Sequence, residues 1–302
     1  MSKAYQNFID VLNQKSHYTK SIYADCLKNF CLYLQIKNCD RIVAMEVKPL
    51  EDKIKDFLSY LINAGKGYSA QNQHLSALQV FFVCNRVNLN FNWIKMFMKK
   101  DPEKDKAGDR PYRKQEIARM LKKSDLRAKV EQGIMFAGGA RIGALPLIRL
   151  QDLTFLEAPA LYAIDAYPNS KENYWILVTP QVSTWITQLK GSRKEGYLLT
   201  GRQDPKKAIS RSTIIYDIQQ AAEAAGLRQG KDGDRFDVML NHGFRKFFRT
   251  ALENSGITDQ WAERLIGHLA DLKRRYSKPT PGEVFENSQY AKAIPALTID
   301  LS

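Results

Sequence analysis

Between residues 19 and 84 the apolar positions recur every three or four residues, the spacing that puts them on one face of a helix. "YTKSIYADCLKNFCLYLQI" carries Ile22, Leu27, Phe30, Leu34 and Ile36 at that spacing, with Thr19 or Ser21 as the expected N-cap. "PLEDKIKDFLSYLINAGKGYS" repeats it through Ile54, Phe57, Leu58 and Leu61, and Gly65 and Gly67 end the helix. A third helix is expected to be capped by Ser69 and turns Leu75, Leu78, Phe81 and Phe82 inward. The first hundred residues thus read as an all-helical bundle whose exposed face carries Lys15, Lys20, Lys28, Lys66 and Gln71. "KKDPEKDKAGDRP" then breaks the pattern with charge, proline and glycine, as a linker does.

Beyond the linker the pattern resumes and changes. "RKQEIARMLKK" and "LRAKVEQGIMFAGGARIGALPLIRLQDL" read as helices. "PALYAIDAYPNSKENYWILVTP" alternates apolar and polar residues on both sides of Pro168 to Lys171, the signature of a β-hairpin. Helical spacing returns in "PQVSTWITQLK", "SRSTIIYDIQQAAEAAGL", "LNHGFRKFFRTALENSG" and "TDQWAERLIGHL", and one short helix remains for the tail. The expected fold class is mainly α with a small β-hairpin or sheet. Its division is a helical domain over 1–100, a linker over 101–110 and a mixed α/β domain over 111–302.

Charge adds a partner to this picture. The 302 residues hold 46 Lys and Arg against 32 Asp and Glu, a net +14. The excess is split evenly between the first hundred residues and the rest, within sequence that has helical periodicity rather than in a tail. A folded basic surface of this kind faces a long polyanion, with nucleic acid ahead of a membrane. Four cysteines (Cys26, Cys31, Cys39, Cys84) contain no CxxC pair, and only His17 and His74 lie near them, so reduced, mostly buried thiols are expected rather than a zinc site. The start has no signal-like apolar core, and no apolar run is long enough to cross a membrane. A cytoplasmic, nucleoid-associated protein with no membrane partner is the expectation.

Five features stand in order in the second domain: Arg141 in "GARIGAL", Lys171 at the hairpin tip, His242 with Arg245 in "HGFR", His268 in "LIGHL" and Tyr276 in "RRYSKP". A phosphodiester attacked by an oxygen nucleophile gathers negative charge on its non-bridging oxygens. Two arginines, here Arg141 and Arg245, can each bind two such oxygens. Lys171 on a hairpin tip can protonate the leaving 5′-oxygen. His242 and His268 can accept the nucleophile's proton or donate to the phosphoryl group. Tyr276 supplies a phenol whose ester is reversible, since phenolate is also a tolerable leaving group. The scheme needs no metal ion and no cofactor. Lys246 and Arg249 are expected to touch flanking phosphates or solvent.

In these boxes, "GARIGALPLIRLQDL", "HGFRKFF" and "LIGHL…RRY", residues 109 to 302 resemble the catalytic domain of tyrosine recombinases, the phage-integrase family. The N-terminal bundle is similar to that family's core-binding domain, and the ending "YSKPTPGEVFENSQYAKAIPALTI" looks most like archaeal integrases. The resemblance implies a site-specific recombinase of a mobile element, acting on double-stranded DNA through a 3′-phosphotyrosine and a Holliday junction. It further implies a homo-tetramer on DNA, monomeric or dimeric when free. Three departures stand out. Ala144 replaces the acidic residue often found three positions after the first arginine; His268 to Tyr276 is one residue shorter than the commonest spacing; and "GGARIG" is rich in small residues. Tyr290 is the reserve nucleophile. The competing readings are a type IB topoisomerase-like enzyme, and a non-catalytic DNA-binding accessory protein. The C-terminal "AKAIPALTIDLS" suits docking on a neighbouring protomer or on its own domain equally well.

Overall fold

The computed structural model describes residues 2–100, 109–201, 204–228, 236–268 and 279–302. The chain forms two compact units, Met1–Ala107 and Gly108–Ser302. Among the described residues no helix is long and apolar enough to cross a membrane.

The first unit is a bundle of α1 (Lys3–Leu12), α2 (His17–Tyr33), α3 (Cys39–Val43), α4 (Val47–Asn63), α5 (Tyr68–Cys84) and α6 (Phe91–Lys95). Each helix contributes an apolar stripe to one core. Leu50, Ile54, Phe57, Leu58 and Leu61 of α4 are all buried, as their spacing requires. Phe8 meets Phe81 edge to face at 5.6 Å, and Phe30 meets Phe57 at 5.1 Å. Two helices begin earlier than the sequence suggested. Ser16 caps α2, accepting from the Thr19 amide, so Thr19 already lies inside the first turn. Gly67 precedes α5, which takes Ser69 into its first turn as well. Gln71, expected on the exposed face, is buried at 1% exposure. Its amide donates to the Lys66 and Lys99 carbonyls and accepts from the Lys99 amide, so it fastens the end of the unit rather than facing outward.

The second unit contains α7 (Lys114–Lys122), α8 (Leu126–Gly138), β1 (Leu153–Leu156), β2 (Leu161–Ala166), β3 (Tyr174–Leu177), α9 (Pro180–Lys190), α10 (Arg211–Ala224), α11 (His242–Asn254), α12 (Asp259–Leu265), α13 (Pro281–Ser288) and α14 (Ile294–Leu297). The hairpin β2–β3 is present and antiparallel, with Ile164 opposite Ile176, and β1 adds a third strand, with Leu153 opposite Ile164. The sheet separates two apolar layers, and the two-residue period of β2 serves both. Tyr162, Ile164 and Ala166 join the core built on α7, α8, α9 and α10, while Leu161 and Ala163 join the core built on α11, α12 and the C-terminal helices.

Helix α8 is central, packed by α9, α10, α11 and β3, which explains why it is buried nearly all round. It ends at Gly139, so the expected helix does not continue through "GARIGAL". A turn carries the chain through that stretch, and two 3₁₀ turns, Leu145–Leu147 and Leu150–Asp152, and then β1 follow it. The C-terminal segment folds onto its own unit: Gln181 donates to the Ile299 carbonyl at 2.6 Å and accepts from its amide at 2.9 Å.

Candidate functional site

The site starts where α8 stops. Gly139 adopts φ +63, the left-handed conformation that terminates a helix. A Cβ there would lie 2.3 Å from the Phe248 ring, so glycine also lets α11 press against the end of α8. Helix α11 is held from the other side in the same way. A Cβ on Gly243 would lie 2.9 Å from the Tyr112 ring, and the Tyr112 hydroxyl donates to the Leu240 carbonyl at 3.1 Å. Phe244 and Phe248 are fully buried, and Phe247 wedges between the two cores, so the orientation of α11 is fixed by its aromatic residues.

That orientation places Arg245 inward, at 7% exposure. Its guanidinium donates to the Gly139 carbonyl at 2.5 Å, to the Ile266 carbonyl, and to His268 Nε2 at 2.9 Å. One side chain on α11 therefore joins the end of α8 to the end of α12. Arg141, half-buried in the turn after α8, donates to the Gly267 carbonyl at 3.3 Å. A backbone oxygen thus does the orienting that Ala144 cannot. Gly267 has φ +72, and a Cβ there would lie 2.8 Å from the Tyr174 ring, so this glycine lets strand β3 approach the two arginines.

Hydrogen-bond logic fixes the His268 tautomer. A guanidinium can only donate, so Nε2 accepts, and the ring proton sits on Nδ1, 3.0 Å from Glu263 Oε2. Glu263, Arg245 and His268 form one chain. Glu263 also meets Arg249 at 3.3 Å, and it was not visible in the sequence, where only its place five residues before His268 hinted at a helix-end partner.

Burial pulls the Arg245 pKa below its usual value, and the neighbouring Arg141 charge adds to that pull. Among the described residues, the hydrogen-bonded partners of both guanidiniums are carbonyls and an imidazole, with no carboxylate in an ion pair to either. Two like charges held close by neutral acceptors make a site that an anion stabilises. Tyr174 belongs to the same cluster. Its hydroxyl is buried with no hydrogen bond of good geometry among the described residues, yet it lies close enough to Arg245 to oppose the burial effect on that guanidinium. Tyr167, at the base of the hairpin, stands next to Arg141, and burial pushes its phenol up to about 12.

His242 is the first residue of α11, at the surface. Partial burial, then the Lys246 cation, hold its pKa below the ordinary value of 6.5, with Asp109 opposing and Arg245 and His268 adding to the depression. It is therefore a neutral acceptor at neutral pH. His242 lies within electrostatic reach of the arginine cluster but on its solvent side, so the pair His242 and Arg245 is not equally buried. Lys171 is exposed at the tip of the β2–β3 hairpin, where Asn173 ties the turn to Asp165 and to the Ala166 carbonyl. Tyr276 lies outside the described residues.

Three expectations are corrected. Tyr290 has 0% exposure, its hydroxyl donates to the Ala137 carbonyl at 2.7 Å, and burial raises its pKa far above that of a free phenol, so it is a core residue closed to substrate. Lys246 does not extend into solvent: it pairs with Asp109 at 2.9 Å. Arg249 binds Asp259 at 2.9 Å and Glu253 at 3.0 Å, so both cations serve the unit's own fold. Among the described residues, no group of three or more His, Cys, Asp or Glu side chains is placed to hold a metal ion.

No family model matches the chain, and no curated protein matches it either. Solved structures do. A lambda integrase (residues 75–356) dimer bound to a COC′ core site superposes with TM-score 0.64 at 16% identity, covering 92% of this chain and 98% of that one. The Tn1549 transposon integrase in complex with circular intermediate DNA gives 0.62 at 14%, covering 95% and 99%. The XerH site-specific recombinase bound to its palindromic difH substrate gives 0.58 at 14%, covering 89% and 79%. The chain has the tyrosine recombinase fold that the sequence resemblance implied. Identity this low carries the fold and no further.

Proposed function

We propose that this chain is a site-specific DNA recombinase of the tyrosine recombinase family that cleaves and rejoins duplex DNA through a 3′-phosphotyrosine. The observation that carries the reading is the convergence of Arg141, Arg245 and His268 from three separate segments, with the guanidiniums held by carbonyls and, among the described residues, in no ion pair with a carboxylate. Such a cluster suits the charge that builds on a phosphate under in-line attack.

In this reading the Tyr276 phenol attacks phosphorus, and the bond to the 5′-oxygen breaks. Arg141 and Arg245 neutralise the non-bridging oxygens, and Lys171 gives the 5′-oxygen its proton. Neutral His242 is suited to take the phenolic proton. His268, oriented by Glu263, adds a ring nitrogen beside Arg245. Because the ester keeps the energy of the broken bond, a 5′-hydroxyl from another strand can reverse the step. Duplex DNA carrying a specific site is the proposed substrate, and a homo-tetramer on DNA the proposed assembly. The basic charge present in both units suits contact with the phosphate backbone by each.

The deciding experiment is trapping on a nicked suicide substrate, followed by peptide mapping of the DNA-linked residue. The reading expects the adduct on Tyr276, and Tyr276→Phe without adduct but with DNA binding intact. An adduct that survives this substitution overturns the assignment.

A further inference from the structure

In the first unit, two thiols face each other across a turn. Cys31, in the last turn of α2, and Cys39, the first residue of α3, bring their sulfur atoms to 3.7 Å. Neither is in a disulfide. Both line a cavity of about 690 Å³ whose wall also includes Tyr5, Lys28, Lys37 and Asp40. The sulfurs are already at hydrogen-bond distance, so bond formation needs only a small further approach.

We propose that Cys31 and Cys39 form an oxidisable dithiol, a modification site that takes a hydroperoxide as oxidant and closes to an intramolecular disulfide. The site is independent of the DNA chemistry proposed for the second unit. Cys39 is the attacking sulfur. The hydrogen bond shared with Cys31 lowers its pKa to about 7, against the effect of burial and with help from Ser2, and raises that of Cys31. The Cys39 thiolate attacks the O–O bond of the peroxide. It becomes a sulfenic acid, and the other oxygen leaves as water or an alcohol after taking a proton. The Cys31 sulfur then attacks the sulfenyl sulfur; the S–O bond breaks, and hydroxide leaves as water with the Cys31 proton. Two thiols and one hydroperoxide thus give one disulfide, one water and one water or alcohol, with two electrons passing from sulfur to oxygen.

The bond has a structural consequence. Asp40, next to Cys39, holds the start of α1 by accepting from the Ala4 amide at 2.7 Å and the Lys3 amide at 3.3 Å. Joining α3 covalently to α2 therefore stiffens the attachment of α1 as well.

The test treats the full-length chain with hydrogen peroxide, alkylates the remaining thiols, and maps peptides without reduction. The expected product is a Cys31–Cys39 linked peptide lacking two hydrogens, with Cys26 and Cys84 alkylated. The oxidised chain is expected to show slower amide exchange in α1 and a first-unit unfolding midpoint higher by roughly 5 °C. In Cys31→Ser, a sulfenic acid trapped by dimedone appears on Cys39; in Cys39→Ser, none appears on Cys31. Alkylation of both thiols in the treated wild-type chain, sulfinic acid on Cys39 in place of the disulfide, or an intermolecular dimer overturns the proposal. That wild-type map stands even if a serine variant does not fold.

Discussion

Arg141 and Arg245 differ in burial, and their substitution should separate accordingly. Among the described residues, Arg141 makes one long hydrogen bond, to a backbone oxygen. Arg141→Lys is expected to fold normally and to form the covalent DNA adduct about 10²–10³-fold more slowly, the usual effect of losing one oriented donor to a developing oxyanion; single-turnover trapping measures it. His242 gives a pH signature. Its folded pKa lies below the ordinary 6.5, so the native state binds fewer protons at that site than the unfolded chain does. Its contribution to stability is therefore present above 6.5 and is lost as pH falls through the depressed value. The acid limb of cleavage should likewise fall below pH 6.5, and His242→Gln should remove it from the rate profile. A limb unchanged in that variant assigns the titration to another group. Tyr174→Phe removes a buried hydroxyl that has no hydrogen-bond partner of good geometry among the described residues and lies beside Arg245. It should leave thermal stability unchanged or slightly higher while slowing adduct formation, because a buried donor without a well-formed hydrogen bond costs stability until a ligand meets it.

At the scale of elements, glycines decide how closely helices and strands approach. Gly139→Ala combines a left-handed backbone with a Cβ 2.3 Å from Phe248, and a loss of about 2–4 kcal/mol in denaturant unfolding is expected. Tyr290→Phe should leave adduct formation intact and lower stability by about 1–2 kcal/mol, since it strands the Ala137 carbonyl. Much of this level was legible in the sequence. Ile54, Phe57, Leu58 and Leu61 declared their buried face by period, and the β2–β3 hairpin declared itself by alternation around a Pro-Asn-Ser turn. What stayed hidden depends on partners far along the chain. Nothing local in "GGARIG" says that its glycines make room for Ile176 and Phe248. Nothing around Gln71 announces a carbonyl at Lys99. Lys246 and Arg249 read as facing flanking phosphates or solvent because Asp109 and Asp259 meet them only after folding. The order Arg141, His242, Arg245, His268 was readable, but its assembly through the Gly139, Ile266 and Gly267 carbonyls was not.

The whole molecule is two units with separate cores, and each is expected to unfold cooperatively when expressed alone as residues 1–107 or 108–302, a point calorimetry can check. Within the second unit, Arg245 bonds to both the α8 and the α12 termini, so it fastens the fold at the same point where it would meet substrate. Removing it would leave buried carbonyls without donors and loosen the very loop that presents His268. An inert bait for isolating DNA or assembly partners should therefore keep Arg245 and be silenced at Arg141 or Tyr276; a bait altered at Arg245 would report a damaged scaffold as if it were a failed reaction.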